Sequence, residues 1–397
     1  MIDLTHEQQQ EIIAFTQELI RSPGYSGNEA QTAAIVLRKM ESLGYDEIIA
    51  DEYGNIIGIL RGKQPGPSLM FDGHMDVVLV KDSEVWDHPP YGGELIDGVL
   101  WGRGASDMKG PLAAMICAPA FLKREDFVGT VIVSASVAEE YIPGCALGKV
   151  LDKVHADKII VGEPSSLKLG IAEKGRAGVE IITRGTLAHS SRPDLGDNAV
   201  YRMLEVIHRI RSLPKRSHQF LGPEIIELVE IESRPRPGNG CIPDWCRSFW
   251  ECRLLDDTTK DEFLLRWKKA LYAIDKTQVR YAYLNVKCYT GTLLEAEDFL
   301  PGWFLPENHP FRLQVEIAIR RCGIEPELYA VPHGSNANLS SGYQKIPSLV
   351  LGPGDVALAH KPNEFIKIDE LIKGAQIYAS IVALNSMDLN HPQVTDA

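Results

Sequence analysis

The chain has 397 residues, of which 44% are hydrophobic and 24% are charged, and this length and composition predict a globular protein of two domains. Its formal net charge is −13 and it has no block of lysine and arginine residues, so we expect neither nucleic acid nor a membrane surface as a partner. No apolar run approaches the roughly 18 residues of a membrane span, and the seven cysteines form no Cys-x-x-Cys pair, so we expect a cytoplasmic protein with reduced thiols.

The first half of the chain alternates helical and strand patterns. Residues 5–22 are predicted to form an amphipathic helix with Thr5 as its N-cap, where a secretory signal would instead begin with basic and apolar segments. A second helix is predicted over residues 28–43, ending at Gly44. Further along, strands are predicted at 56–60, 68–71, 95–101, 128–138 and 158–161, and an apolar helix at 107–123. Helices that alternate with apolar strands predict an α/β domain with a mixed, mostly parallel sheet.

The pattern changes near residue 176. The next segments have the order strand, helix, strand, strand, helix, strand, at 179–184, 198–213, 224–231, 249–254, 259–274 and 278–286. Because this order is ferredoxin-like, we predict an inserted α+β domain over residues 177–290 and a discontinuous α/β domain over residues 1–176 and 291–397. The carboxyl-terminal part of the α/β domain has predicted helices at 311–322 and 368–384 and a predicted strand at 348–351.

Histidines and acidic residues follow several predicted strands, at the edge where open α/β sheets bind ligands. They are His74 and Asp76 in FDGHMD, Asp107 in GRGASDMKG, Glu139 and Glu140 in SVAEE, Glu163 in VGEPS and His360 in ALAHKPNE. Imidazole and carboxylate together form a donor set that zinc, cobalt and manganese bind. Each motif alone has an ordinary explanation: His-x-Asp occurs in solvated turns, Glu-Glu is usually a charged surface, and Asp107 could cap the following helix. The combination in this order is the stronger signal.

In this order the motifs resemble the M20 family of metallopeptidases and deacylases, which includes acetylornithine deacetylase, succinyl-diaminopimelate desuccinylase, glutamate carboxypeptidase and the aminoacylases. The matching segments are FDGHMDVV, LWGRGASDMKGPLAAM, SVAEE, VGEPS, GTLAHSSRPDLGDNAVYRM and LGPGDVALAHKPNE. The segments SSRPDLGDNA and GPGDVALAHKPNE are most similar to a branch of hydrolases linked to selenium metabolism. The resemblance implies a zinc-exopeptidase-like catalytic domain, with the inserted domain as a lid and dimerisation domain.

The resemblance also implies a site for two divalent metal ions, most simply zinc, with cobalt or manganese as alternatives. Asp107 would bridge the two ions. His74 and Glu163 would complete the ligands of one ion, and Glu140 and His360 would complete those of the other.

Three further residues are implied to take part in the reaction. Asp76 would orient the imidazole of His74, as a histidine ligand usually requires. Glu139 would be the general base that takes a proton from water and returns it to the leaving amine. His189, in AHSSRP, would reach from the inserted domain into the site of a partner subunit and bind the oxyanion, which implies an active homodimer.

Substrate contacts are implied at positions where the sequence partly departs from the family. Arg253, in WECRLLD, would bind a substrate carboxylate, or alternatively form an ion pair on the strand surface. Asn239, in GNGCIPD, is one residue further from the following proline than in the commoner family spacing. Ser335 and Asn336 belong to a loop that lines the family's substrate pocket, and Asn336 replaces the usual aspartate. His333 in this loop could lie beside the metals or be an ordinary loop residue, and we favour the loop residue.

These features predict a two-metal hydrolase that cleaves an amide C–N bond in a small N-acyl amino acid, dipeptide or related compound. In the family that the sequence resembles, members with glutamate at the position of Glu163 tend to be deacylases or carboxypeptidases, and members with aspartate tend to be aminopeptidases or dipeptidases, so the resemblance favours the first group. One alternative is a metal-dependent deaminase or amidohydrolase that acts on an aromatic or carbamoyl amine. The other is a catalytically silent binding relative, which the presence of Glu139 and of every metal ligand disfavours. A hinge near residues 175–177 and 288–292 would let the lid close over substrate.

Overall fold

The structure, a computed structural model, describes residues 2–385. The chain forms two compact units. The first is formed by the described residues of Met1–Ala172, Asn285–Glu295 and Phe304–Ala397, and the second by Glu173–Leu284 and Ala296–Trp303. Compared with the predicted bounds, the second unit also includes residues 173–176 and 296–303, and the first unit also includes residues 285–290. No helix within residues 2–385 has both the length and the apolar character needed to cross a membrane.

Both units contain α-helices and β-strands within the described residues. The α-helices are α1 (His6–Ile20), α2 (Ala30–Ser42), α3 (Gly110–Ala120), α4 (Cys145–Leu151), α5 (Ala199–Arg211), α6 (Lys260–Leu271), α7 (Pro310–Arg321) and α8 (Ile368–Ala383). The strands up to the middle of the chain are β1 (Glu47–Ala50), β2 (Ile56–Arg61), β3 (Ser68–His74), β4 (Glu94–Ile96), β5 (Val99–Trp101), β6 (Thr130–Ser136), β7 (Lys158–Val161), β8 (Leu169–Glu173), β9 (Gly175–Arg184) and β10 (Ala188–His189). The remaining strands are β11 (Ser217–His218), β12 (Gly222–Pro223), β13 (Ile225–Arg234), β14 (Cys241–Ile242), β15 (Trp245–Leu254), β16 (Thr277–Tyr281), β17 (Tyr283–Lys287), β18 (Leu293–Glu297), β19 (Phe299–Leu300), β20 (Trp303–Phe304), β21 (Leu328–Val331), β22 (Ser348–Val350) and β23 (Phe365–Lys367).

The large sheet is mixed, with parallel strands at its centre. Its strand order is β1-β2-β6-β3-β7-β22-β8-β20, and β21 pairs with β8. Strands β6, β3, β7 and β22 are parallel to one another, whereas β1, β2 and β8 pair antiparallel to their neighbours. Strand β3 is buried at every position, as expected for a strand with packing on both faces. The mixed α/β fold predicted from the sequence is confirmed, although the sheet is partly and not mostly parallel. Its parallel centre directs four strand ends to one edge.

Helix α1 illustrates how local sequence defines an element. Thr5 begins the helix as predicted, because its side chain accepts the backbone N–H of Gln8 at 3.2 Å. The side chain of Gln8 accepts the backbone N–H of Thr5 at 2.9 Å in return, which completes a capping box. Ile12, Phe15 and Leu19 are buried on one stripe of the helix. The cap therefore defines where the helix starts, and the stripe defines which face packs on the core.

Two predicted elements differ from the structure. The strand predicted over residues 95–101 is a hairpin of β4 and β5, because Asp97 and Gly98 have φ of 49° and 76° and form a tight turn. The helix predicted from residue 107 begins at Gly110. Asp107 lies in the preceding turn with φ −120° and ψ 95°, so it does not cap the helix.

The second unit contains a five-stranded antiparallel sheet in the order β13-β15-β9-β16, with β19 as the fifth strand, paired to β9. Along the chain its elements run β9, α5, β13, β15, α6, β16, which is the predicted ferredoxin-like order. Helices and sheet enclose a core that includes Met203, Trp250 and Trp267. Alternation along β15 buries Trp250, Cys252 and Leu254, and leaves Arg253 between them on the opposite face.

Candidate metal centre

Parallel strands bring most of the candidate residues to one edge of the large sheet. His74 is the last residue of β3, and Glu163 comes soon after β7. Glu139 and Glu140 follow β6, and His360 lies in the loop after β22. Since these four strands are parallel, their carboxyl ends lie together, where open α/β sheets bind ligands.

The adjacent glutamates are turned toward the site by the backbone before them. Ala138 has φ of 57°, in the left-handed region that residues with a Cβ rarely adopt. Such a residue ends the alternation of the strand, in which neighbouring side chains would face opposite sides. Glu139 and Glu140 therefore both direct their carboxylates to the group formed by His74 and His360.

Asp107 lies between two imidazoles. Its Oδ1 is 3.3 Å from Nε2 of His74, and its Oδ2 is 3.4 Å from Nε2 of His360. Oε1 of Glu163 is 3.7 Å from Nε2 of His74, and Oε2 of Glu140 is 3.0 Å from Nε2 of His360. The site thus has two halves, each with one imidazole and one glutamate, and the two halves share Asp107.

The ligand atoms of the two halves are close together. One group within 4.8 Å consists of His74, Glu139 and Glu163, and another of His74, Asp107 and Glu140. Glu139 enters the first group although we predicted it as a base. Its Oε2 is 4.0 Å from Nε2 of His74, which is longer than the contacts of Asp107 and Glu163 with the same nitrogen. Glu139 therefore lies next to the predicted ligands, and its contact with His74 is longer than theirs.

The tautomer of His74 follows from its neighbours. Its Nδ1 is 2.9 Å from the backbone carbonyl oxygen of Asp76, which can only accept a hydrogen bond. Nδ1 therefore carries a proton, and in the neutral imidazole Nε2 presents a lone pair to Asp107 and Glu163. The carboxylate of Asp76 is further away, with Oδ1 3.5 Å from Nδ1. Asp76 thus contacts the imidazole of His74, as predicted, and the shorter contact is made by its backbone carbonyl.

The carboxylate of Asp76 instead supports the turn that carries the two glutamates. Its Oδ1 accepts the backbone N–H of Glu139, and its Oδ2 accepts that of Glu140, both at 3.1 Å. Oδ2 also accepts the hydroxyl of Ser26 at 2.6 Å. The fully buried Glu29, which the sequence analysis did not single out, accepts the backbone N–H of Ala138 at 3.0 Å. Two carboxylates therefore bind three consecutive amides of this turn.

Electrostatics in the site reflect burial of several acids around two imidazoles. Burial raises the pKa of Glu139 and of Glu163 well above its ordinary value, and it also raises the pKa of Glu140. Burial opposes ionisation of Asp107 too, but the imidazoles of His360 and His74 outweigh it and hold the pKa of Asp107 below its ordinary range. Hydrogen bonds to Asp107 and Glu140 raise the pKa of His360 to about 10.

This donor set fits a pair of divalent cations. Asp107, Glu139, Glu140 and Glu163 supply more acidic groups than the two histidines can neutralise. Oε1 of Glu140 is buried and accepts no hydrogen bond from any residue that the structure describes, so it is open to a cation. Imidazole nitrogen and carboxylate oxygen are ligands typical of zinc and similar metals, and their binding releases the protons that such acids hold.

The second unit carries three of the predicted catalytic and substrate-binding residues, namely His189, Asn239 and Arg253. His189 is exposed, and its Nδ1 accepts the backbone N–H of Ser191 at 3.1 Å. Because a backbone amide can only donate, the neutral imidazole carries its proton on Nε2 and can donate it outward. Arg253 is half-buried and forms no ion pair with any residue within 2–385, so the predicted alternative of a surface ion pair does not apply. Asn239 is exposed with φ of 44°.

Side chains of the loop after β21 form hydrogen bonds with buried groups of the protein interior. Asn336 is buried, and its side-chain amide donates to Oδ2 of Asp72 at 2.8 Å and to the hydroxyl of Ser136 at 3.3 Å. Its Oδ1 accepts the backbone N–H of Gly144 at 2.7 Å. Ser335 is also buried, and its hydroxyl accepts the N–H of Ala337 at 3.1 Å. Both side chains therefore have partners within the protein, and the substrate contacts predicted for Ser335 and Asn336 stay a prediction.

His333 precedes this pair and is half-buried. Burial lowers the pKa of its imidazole. Its assignment as an ordinary loop residue stays a prediction.

Comparisons with known proteins agree with this geometry. Residues 70–384 match the peptidase family M20/M25/M40. The uncharacterized protein YgeY of Escherichia coli (strain K12) is 27% identical over 392 residues, which cover 96% of this chain and 96% of YgeY. The succinyl-diaminopimelate desuccinylase of Parvibaculum lavamentivorans is 27% identical over 382 residues, covering 92% of this chain and 93% of that protein. The crystal structure of aminopeptidase PepT from Bacillus cereus has the same fold, with a TM-score of 0.73 at 22% identity over 96% of this chain and 99% of PepT.

Proposed function

Because this chain belongs to the peptidase family M20/M25/M40, a family of metal-dependent hydrolases of amide bonds, we propose that it uses two divalent metal ions to cleave a small amide substrate. The substrate class is an N-acyl amino acid, a dipeptide or a related compound. A single observation supports this most strongly: the two carboxylate oxygens of Asp107 face two different imidazoles, those of His74 and His360.

The residues around Asp107 divide into two ligand sets. His74 and Glu163 hold one ion together with Asp107, and His360 and Glu140 hold the other. This division follows the shortest contacts of each imidazole, and it leaves Glu139 free of a ligand role. Zinc fits these nitrogen and oxygen donors, as do cobalt and manganese.

Glu139 acts as the general base and then as the general acid. When bound, the two cations supply Lewis acidity, which acidifies water and polarises the scissile carbonyl. Glu139 accepts a proton from the attacking water at its carboxylate and donates it to the nitrogen of the leaving amine. Burial raises the pKa of Glu139 above its ordinary value, which makes its carboxylate a stronger base toward the proton of the water.

Two residues of the second unit complete the proposal. Arg253 binds the carboxylate of the substrate, which its lack of an ion-pair partner among residues 2–385 allows. His189 donates its Nε2 proton to the oxyanion that develops on the scissile carbonyl. As in the family that the sequence resembles, this histidine serves the site of a partner subunit, so the active form is a homodimer.

The edge strand of the second unit offers a surface for that homodimer. Strand β13 pairs with β15 on one side and with no described strand on the other. Ile225, Val229 and Ile231 on this strand are 44%, 51% and 51% exposed. An exposed apolar edge is a template for pairing with another chain, and a two-fold axis makes such pairing self-complementary.

Amine release from a substrate panel tests the proposal. The panel contains N-acyl amino acids, dipeptides, carbamoyl amines and aromatic amines. Each substrate that contains an amino acid is offered in two forms, with its carboxylate free and with its carboxylate converted to the carboxamide. We expect release that EDTA abolishes and that zinc, cobalt or manganese restores, with the free acid preferred because of Arg253. Release from aromatic or carbamoyl amines alone would replace the proposal with the deaminase alternative. A chain that binds no divalent metal would overturn it.

A further inference from the structure

Glu364 has a completely buried carboxylate that takes no direct part in the proposed reaction. Its Oε1 accepts the backbone N–H groups of Ser106 and Asp107, each at 2.9 Å. Its Oε2 accepts a hydrogen bond of 2.6 Å from the guanidinium of Arg103, which is itself only 3% exposed. One side chain therefore holds the turn of Asp107 from a position four residues after His360.

The backbone strengthens the same connection. The carbonyl oxygen of Glu364 accepts the N–H of Gly102 at 2.9 Å, and the hydroxyl of Ser106 donates to the carbonyl oxygen of Phe365 at 2.7 Å. Strands β23 and β5 continue this pairing in an antiparallel ladder that joins Phe365 to Trp101. The segment after His360 and the segment before Asp107 are thus joined at several points.

Asp107 needs such support because no helix defines its backbone. Its φ and ψ of −120° and 95° lie outside the helical region, so its amide is not part of a regular hydrogen-bond ladder. A buried carboxylate is costly unless it is paired and hydrogen-bonded, and Glu364 meets both conditions through Arg103 and the two amides. Because the carboxylate of Asp107 is separated from its backbone by one methylene group, fixing the backbone also fixes where that carboxylate can point.

We propose that Glu364, held by Arg103, is a positioning residue that sets the bridging carboxylate of Asp107 relative to His360. This inference rests on the proposed two-metal function. The half of the site formed by Asp107, Glu140 and His360 depends on it most, because Glu364 is connected to two of these three ligands. His360 is also the more exposed imidazole, with 55% of its side chain accessible against 1% for His74, so it has less packing of its own to hold it.

The test is a titration of metal-free E364Q with Co²⁺, followed by the visible absorption of the bound ion and by metal content per chain. In Glu364→Gln, one end of the side chain becomes a donor, which must face either the guanidinium of Arg103 or the two backbone amides. We expect the first Co²⁺ to bind nearly as in the unchanged chain. We expect the dissociation constant of the second to rise about tenfold or more, with an altered absorption spectrum.

Glu224→Gln is the matched control. Glu224 is 1% exposed, accepts the backbone N–H of Arg216 at 2.9 Å and pairs with the guanidinium of Arg266, but it lies in the second unit. E224Q removes the same buried charge, so a similar loss of thermal stability is expected with no change in Co²⁺ affinity or spectrum. Equal effects of E224Q and E364Q on Co²⁺ would overturn the inference.

Arg103→Lys keeps the inference testable if E364Q does not fold. It keeps the buried positive charge but loses the guanidinium that holds Oε2 of Glu364, so a smaller rise in the second dissociation constant is expected. Wild-type affinity and spectrum for both Co²⁺ ions in E364Q, or in R103K where E364Q does not fold, would overturn the positioning role and leave the proposed function intact. An unchanged chain that binds no second Co²⁺ would overturn the two-metal proposal itself.

Discussion

Oδ1 of Asp76 accepts the backbone N–H of Glu139 at 3.1 Å. Asp76, two residues after His74, therefore holds the turn that carries Glu139, the proposed base. His74 itself is oriented by the carbonyl oxygen of Asp76 at 2.9 Å. The side chain and the main chain of Asp76 therefore support different parts of the site, and they can be separated by substitution.

Asp76→Ala is expected to lower turnover about 100-fold while metal affinity falls much less. The substitution removes the acceptor for the amides of Glu139 and Glu140, whereas the carbonyl that orients His74 remains. Turnover and metal content per chain measure the two effects. Ser26→Ala, which removes only the hydroxyl bonded to Asp76, serves as the mild control. If D76A loses metal as completely as His74→Ala, the carboxylate and not the carbonyl orients the imidazole.

Asn336→Asp is expected to destabilise the fold by about 3 kcal/mol at neutral pH. The amide nitrogen of Asn336 is 2.8 Å from Oδ2 of the buried Asp72, and a carboxylate in its place would set two negative charges together. Urea unfolding at pH 7 measures the loss. The exchanged pair D72N/N336D keeps one amide and one carboxylate and should recover most of the stability. No recovery in the exchanged pair would show that the contact with Asp72 is not the cause.

Glu29→Gln is expected to change how stability depends on pH. Burial, assisted by the charge of Asp76, raises the pKa of Glu29 from 4.5 to about 7 in the folded chain. Between these values the folded state holds more protons on Glu29 than the unfolded state does. Stability from this group is therefore complete below about pH 4.5 and is lost as pH rises to about 7.

Urea unfolding of the metal-free chain and of E29Q, measured across this range, tests the sign. Titrations common to both proteins cancel in the difference of their unfolding free energies. That difference should favour the unchanged chain most at the acidic end and decline toward pH 7. A difference that stays constant, or that grows with pH, would contradict the raised pKa.

His189→Ala and Glu139→Gln are each expected to be nearly inactive as homodimers and to recover activity when subunits are exchanged. In a random mixture half of the dimers are hybrids, and each hybrid has one site with both residues intact. Activity should therefore return to about a quarter of the wild-type value. The absence of recovery, with subunit exchange verified by mass, would show that His189 does not serve the partner's site.

Much of the site could be predicted because its residues lie in short motifs at strand ends. His74, Glu139 and Glu163 lie at or shortly after the ends of apolar strands. Parallel strands necessarily bring their carboxyl ends together. Supporting contacts are different, because they join segments far apart in the chain. Glu364 contacts the amide of a residue 257 positions away, and Asn336 contacts a residue 264 positions away.

The errors in the fold also have local causes. Apolar residues at 95–101 predict one strand, but positive φ at Asp97 and Gly98 reverses the chain between them. Hydrophobicity around residue 107 predicts a helix, but the backbone of Asp107 is shaped by its buried contact with Glu364. Periodicity detects what is buried, and it does not detect a turn whose conformation depends on a tertiary partner.

Comparing Glu139→Gln with Glu140→Gln tests the central claim most directly. The two residues are adjacent in one turn and both are directed to the site, but only Glu140 is proposed to hold a metal. The measurement is metal content per chain together with turnover of the best substrate. E139Q should retain both metals and lose nearly all turnover, whereas E140Q should lose one metal. Turnover in E139Q close to that of the unchanged chain, or loss of a metal from E139Q, would contradict its assignment as the catalytic base.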